Sequence, residues 1–227
     1  MKFYNNTLDF LKLFFPNRYV KDKYDLSYAY KADNHALNTQ SIKEIEWVGN
    51  KVNPQNIILD IGCNTGRPLA LLAKLWNSEQ GFGVDINHDA IDIAVSNFES
   101  LKFQIFDGLK LPFDDCNFDH VMIHHVIGHV QDPVKILEEV YRVLKPNGTL
   151  SIITPNYWYK FYQYPINIIK NFNPDLTILR YYSKRSLIKL VTNCGFKLNS
   201  IEISGPYPSF FKLNYAKLRI LTIAKKL

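Results

Sequence analysis

Short apolar runs alternate with segments of helical spacing from about residue 57 to the end of the chain. Residues 56–61 form a strand-length apolar run that leads into a glycine loop. From Arg67 to Trp76, apolar residues then recur at Leu69, Leu72, Ala73 and Trp76, the spacing of one helix face, and Pro68 suits the first turn. The same reading predicts strands over 81–85, 103–107, 118–124 and 149–153 and helices over 89–98 and 133–144, with Asp132 as an N-cap and 145–148 as a turn. A helix over 184–193, closed by Gly195, and strands over 196–204 and 218–224 complete the pattern. Alternation of this βαβα kind buries strands beneath crossover helices, so an α/β fold with a mostly parallel sheet is expected. Residues 1–55 are expected to form an N-terminal helical segment or lid, with its clearer helix over 41–48. Residues 56–227 form the main domain, with an aromatic insertion at about 156–182.

The loop after the first strand reads Asp60-Ile61-Gly62-Cys63-Asn64-Thr65-Gly66. Glycines at this place let the backbone approach a ligand at the N-terminus of the next helix, and Asn64 tolerates a left-handed turn. The spacing does not fit the dinucleotide fingerprint G-x-G-x-x-G. Asp85 closes the predicted second strand and Asp107 the third. An ionised carboxylate only accepts hydrogen bonds, so Asp85 suits ribose hydroxyls and Asp107 an adenine amino group. Three acids at successive strand ends predict an adenosine-containing ligand in the crevice along that edge of the sheet.

With these pieces in order, the chain resembles the class I S-adenosylmethionine-dependent methyltransferases, in particular the branch of ubiquinone-type and small-molecule O-methyltransferases. The resemblance is carried by Leu59 to Gly66, Gly83-Val84-Asp85-Ile86, Asp107-Gly108, Leu111-Pro112-Phe113 and Phe118-Asp119. It continues through His129-Val130-x-Asp132-Pro133, Arg142-Val143-Leu144-Lys145-Pro146-x-Gly148 and Thr154-Pro155-Asn156. It implies a Rossmann-like methyltransferase fold, a sheet of about seven strands with helices on both faces and an antiparallel final strand. The cofactor it implies is S-adenosyl-L-methionine, held by Asp60, Gly62, Cys63, Asn64, Gly66, Asp85, Ile86, Asp107, Gly108, Leu109 and His124. Many relatives have glutamates at the positions of His125 and Gly128, where this chain departs from them.

Methyl transfer from a sulfonium is an in-line displacement, so alignment of donor and acceptor matters most, and a hydroxyl acceptor must also lose a proton. Histidine titrates near working pH, which makes His125 and His129, just beyond the fourth strand, the candidate general bases. No metal is expected there, since the segment brings no carboxylate partner. On the acceptor side, Tyr28, Tyr157, Trp158 and Tyr182 can stack on a sugar, phenol or quinone.

Composition sharpens the acceptor question. Residues 1–150 carry 15 Lys and Arg against 19 Asp and Glu, whereas residues 151–227 carry 12 against 2. The basic end fits a small-molecule acceptor that is anionic or a carbohydrate, and O-methylation is the expected reaction. An RNA methyltransferase stands second, with nucleic acid as its partner, and a non-catalytic S-adenosylmethionine-binding scaffold is the reading from another class. Three cysteines far apart match no disulfide or zinc spacing, which points to a reducing, cytoplasmic setting. No transmembrane segment is expected, because no apolar run approaches the ~20 residues of a span. Neither the acceptor nor the oligomeric state is readable.

Overall fold

The computed structural model describes residues 39–78, 80–108, 110–157, 178–204 and 219–227, and all seven strands among them join one sheet. In chain order the elements are α1 (Thr39–Lys51), β1 (Ile57–Ile61), α2 (Arg67–Trp76), β2 (Gln80–Asp85), α3 (His88–Asn97) and β3 (Lys102–Ile105). They continue with β4 (Phe118–His124), α4 (Pro133–Val143), β5 (Leu144–Pro155), α5 (Lys184–Asn193), β6 (Phe196–Ser204) and β7 (Arg219–Lys226). The sheet order is β3-β2-β1-β4-β5-β7-β6. Every pairing is parallel except those of β7, which runs antiparallel to both β5 and β6. Strand order reverses between β1 and β4, and ligands of such open sheets sit at the carboxyl ends beside that point.

Alternation along the strands makes two cores. Val121 and Ile123 of β4, with Leu150 and Ile152 of β5, pack on one face with Leu137 and Val140 of α4 and Leu187 and Val191 of α5. Met122 and Ile153 face the other way and pack with Ile45 and Val48 of α1 and Leu69, Leu72 and Trp76 of α2. The four positions predicted for the inner face of α2 are the four it buries. Asp132 caps α4 by accepting from Val134 N and Lys135 N, and Ser183 begins α5 with a capping box.

Several boundaries differ from the predicted ones, and two of the differences bear on the site or the sheet. β3 ends at Ile105, so Asp107 lies beyond the strand and not at its end; Phe106 N donates to Asp85 O at 2.9 Å and its ring is buried. Residues 145–148 are not a free turn. They bulge between the Phe118–Leu144 and His120–Thr149 pairs, with Asn147 at φ 65°. Asp119 ties the bulge down, accepting from Lys145 Nζ at 2.8 Å and from Ile57 N at 3.0 Å.

Candidate active site

A cavity of about 380 Å³ opens at the carboxyl ends of β1, β2 and β4, within the range of ~300–1,000 Å³ common for small-ligand sites. Gly62, Cys63, Asn64, Asp85, Ile86, Asp107, Gly108, His124, His125 and His129 all line it, as does the buried ring of Phe106. Gly62 and Gly66 take φ of 76° and 80°, and Asn64 adopts the left-handed conformation at φ 49°. A Cβ on Gly62 would stand 2.1 Å from Val126 Cγ2, which is why no larger residue fits. Gly62 N and Cys63 N both donate to Val84 O, fastening the loop to the end of β2.

Asp85 organises this corner. Its Oδ2 accepts from Asn64 N at 2.9 Å and its Oδ1 from Asn87 N at 3.0 Å, leaving further lone pairs for a ligand. Burial raises its carboxyl, and the backbone N–H bonds work against that rise. Two polar atoms on the cavity walls, Asn64 Oδ1 and Asn87 Nδ2, are buried with no hydrogen-bond partner among the described residues. Such an acceptor and donor, left unmade, mark a place for a polar ligand.

Some expected residues sit elsewhere. Asp60 is buried behind the loop and does not line the cavity; burial, then the charge of Asp85, pushes its carboxyl up to about 7. Gly66 serves as the N-cap of α2, where an added Cβ would stand 2.6 Å from the ring of Phe103, and it too is off the cavity wall. Tyr182 belongs to the main core, its hydroxyl donating to Ile127 O at 3.5 Å, while Tyr157 is exposed, and neither reaches the cavity. Leu109, Tyr28 and Trp158 lie outside the described residues.

The histidines are the other half of the site. His125 has φ 60°, a costly conformation for such a residue, and its amide donates to Ile153 O at 2.7 Å. Its Nε2 lies 2.9 Å from Oε2 of Glu44, a residue of α1, and the guanidinium of Arg219 in β7 bonds the other Glu44 oxygen. Burial alone would raise the Glu44 carboxyl, but the His125 and Arg219 bonds and charges outweigh it and hold it at about 2. An ionised carboxylate cannot donate, so His125 Nε2 carries the hydrogen and Nδ1 is left as the basic nitrogen. His129 closes a turn, its amide donating to Val126 O. Sequence reading missed Glu44, which lies 81 residues from His125 with no local signal. It also missed Asn87, two residues after Asp85, and Phe106, the residue before Asp107.

A profile of the methyltransferase domain matches residues 59–152, the stretch that builds the β1 loop, β2, β4 and α4. Over these residues the chain is similar to the methyltransferase-domain family. The ubiquinone/menaquinone biosynthesis C-methyltransferase of Rickettsia akari is 31% identical over 166 residues, covering 65% of each chain. An O-methyltransferase of Penicillium expansum is 32% identical over 101 residues, or 42% of this chain and 36% of that one. Among solved structures, the methyltransferase complexed with the Trm112 activator of Haloferax volcanii superposes with a TM-score of 0.70 at 18% identity, covering 88% of this chain and 96% of that one. That likeness is one of fold. The chain spans less than half the length of four other curated relatives, 38–46%. Solved structures of the same fold from Methanosarcina mazei and Aquifex aeolicus are those of S-adenosylmethionine-dependent methyltransferases. The residues present fit S-adenosylmethionine: glycines where a side chain would collide, an acid with spare lone pairs at the end of β2, and two unmade polar atoms on the walls. Among the described residues no helix is long and apolar enough to cross a membrane, and the three cysteines are free.

Proposed function

We propose that the protein transfers a methyl group from S-adenosylmethionine to a hydroxyl of a small molecule, of the sugar, phenol or quinol type. The observation that carries this reading is a single cavity walled on one side by Gly62 to Asn64 and Asp85 and on the other by His124, His125 and His129. When bound, S-adenosylmethionine supplies an electrophilic sulfonium methyl. Asp85, Asn64 and Asn87 would hold its polar groups, and Phe106 one face of its base. What the chain must add is alignment and removal of the acceptor's proton. His125 is favoured as the base, since Glu44 orients its ring and compensates the charge it gains, and His129 is the second candidate. The segment ahead of β1 contributes to the site through Glu44 on α1.

Release of S-adenosylhomocysteine, measured across a panel of phenols, a quinol and free sugars, tests the reading. With an active acceptor, His125→Gln is expected to lower turnover by roughly 10²–10⁴-fold at saturating cofactor, and Glu44→Gln by less. Near-normal rates in His125→Gln and His129→Gln would remove the base assignment. Carbon methylation is the second reading, favoured by the name of the Rickettsia relative, and the position of the new methyl in the product decides between them. The basic C-terminal part keeps RNA as a rival acceptor, marked by binding that falls steeply with salt. Cofactor binding without release from any acceptor would favour the scaffold.

A further inference from the structure

Behind the cavity wall lies a line of polar side chains that neither cofactor binding nor the His125 base accounts for. β4 and β5 run parallel, with His120 opposite Thr149, Met122 opposite Ser151 and His124 opposite Ile153. Side chains two apart share a face, so His120 and His124 point to the same side as Thr149 and Ser151. Ser151 then sits between the two imidazoles. His120 Nδ1 is 2.7 Å from Thr149 Oγ1, His120 Nε2 is 2.9 Å from Ser151 Oγ, and the same Ser151 Oγ is 2.9 Å from His124 Nε2. His120 is fully buried, with Trp76 of α2 edge-on at 5.1 Å, and Ser151 is fully buried. Thr149 is half-buried, and His124 at the other end lines the cavity.

We infer that His124, Ser151, His120 and Thr149 form a neutral proton relay that leads from the cavity through the sheet face to the Thr149 end of β5. A hydroxyl offers one hydrogen, so Ser151 donates to one imidazole and accepts from the other. That leaves two arrangements of the chain. In the first, His124 Nε2–H donates to Ser151, Ser151 to His120 Nε2, and His120 Nδ1–H to Thr149, so the free Nδ1 of His124 is a base. In the second every bond points the other way, and His124 carries its hydrogen on Nδ1.

Passage from the first to the second moves one proton along the line. His125 hands the acceptor's proton to cavity water, and His124 Nδ1 takes one from that water while its Nε2–H passes to Ser151 Oγ. The Ser151 hydrogen passes to His120 Nε2, the His120 Nδ1–H to Thr149 Oγ1, and the Thr149 hydrogen to water. Each group gains one proton and loses one, so no charge remains in the interior. After product leaves, His124 returns its proton to water in the cavity, Thr149 regains one from solvent, and the first arrangement is restored. Burial favours the uncharged rings: it holds both His120 and His124 at about 3, with the neighbouring imidazole adding to the effect in each case and Glu44 opposing it at His124. The other titratable or charged groups at that end are His125 with Glu44 and Arg219, and Cys63, Asp85, Asp107, His129, Asp132 and Lys135 on the cavity wall.

The use of the relay rests on the methyl-transfer reading, but its existence does not, and the test keeps them apart. In ¹⁵N-histidine spectra of the full chain at pH 7 with S-adenosylhomocysteine added, His120 and His124 are expected to be neutral and of opposite tautomer. The buried ring N–H of His120 is expected to exchange with D₂O about tenfold more slowly in Ser151→Ala than in wild type, because only opening of the core then reaches it. A serine that merely held the core together would give the reverse, faster exchange in the variant. Matching tautomers or an imidazolium at pH 7, or exchange unchanged or faster in Ser151→Ala, would overturn the relay. The wild-type tautomers decide the matter alone if that variant does not fold, with Ser151→Thr restoring the hydroxyl. Failure of S-adenosylhomocysteine to bind wild type would count against the proposed function and leave the relay standing.

Discussion

At the scale of single residues, the site holds several groups away from their ordinary ionisation, each for a nameable reason. Asp60 is the clearest, a buried carboxyl raised from 3.8 to about 7 by desolvation and by Asp85. An acid with a raised folded value binds its proton more tightly folded than unfolded. Its stability contribution is therefore best below pH 3.8 and declines as pH rises to about 7. Asp60→Asn is expected to raise the stability of the unliganded protein, with an advantage growing between pH 5 and 7 by up to about 2 kcal/mol. Urea denaturation at the two pH values checks this, and an advantage independent of pH would contradict it. Reading the sequence placed Asp60 among the ligand contacts because it named the residue type at a strand end. Which side of the loop the carboxyl takes depends on packing that spacing does not encode. Asn64 was legible, since only a few residue types suit the φ of 49° its loop demands.

At the scale of elements, the segments that carry the family likeness explain one another physically. Arg142 of α4 donates to Leu111 O and Phe113 O and pairs with Glu139 and Asp115, so the Leu-Pro-Phe segment and the end of α4 form one clamp. Phe118-Asp119 and Lys145 are joined through the Asp119 carboxylate. Helix limits were readable where a cap or a Pro marks them, as at Asp132-Pro133 and Gly195. The edge strand β3 was not, because its register ends where Phe106 turns into the core. The glycine loop yields a prediction at this scale. Gly62→Ala puts a methyl against Val126 at positive φ, with an expected cost of about 1–3 kcal/mol in stability and a sharp loss of cofactor affinity. In the Gly62→Ala, Val126→Ala double variant the contact is relieved while the backbone strain stays, so thermal unfolding should show partial recovery. Full stability in the single variant would show that the loop does not need its glycine.

At the scale of the molecule, the chain divides by how its parts recognise things. The α/β architecture and the cofactor edge were legible because alternating apolar periods and strand-end acids are local signals. The Glu44–His125 pair and the Thr149–His120–Ser151–His124 line depend on contacts far apart in sequence. Those buried histidines also shape the whole fold's response to acid. Each is held from 6.5 down to about 3, so between those values the unfolded chain takes protons that the folded one refuses. Stability is therefore expected to fall as pH drops below 6.5, by about 2 kcal/mol per histidine by pH 5. Denaturation midpoints for wild type and His120→Gln at pH 7 and 5 measure this, and an equal pH dependence in both would contradict it.

The central claim is that the cavity at the ends of β1, β2 and β4 is an S-adenosylmethionine site organised by Asp85. Isothermal titration of the full chain with S-adenosylmethionine tests it most directly. One site per chain is expected, weakened by roughly 10- to 100-fold in Asp85→Ala through loss of hydrogen bonds to a charged group. No binding by wild type, or equal affinity in a folded Asp85→Ala, would contradict it.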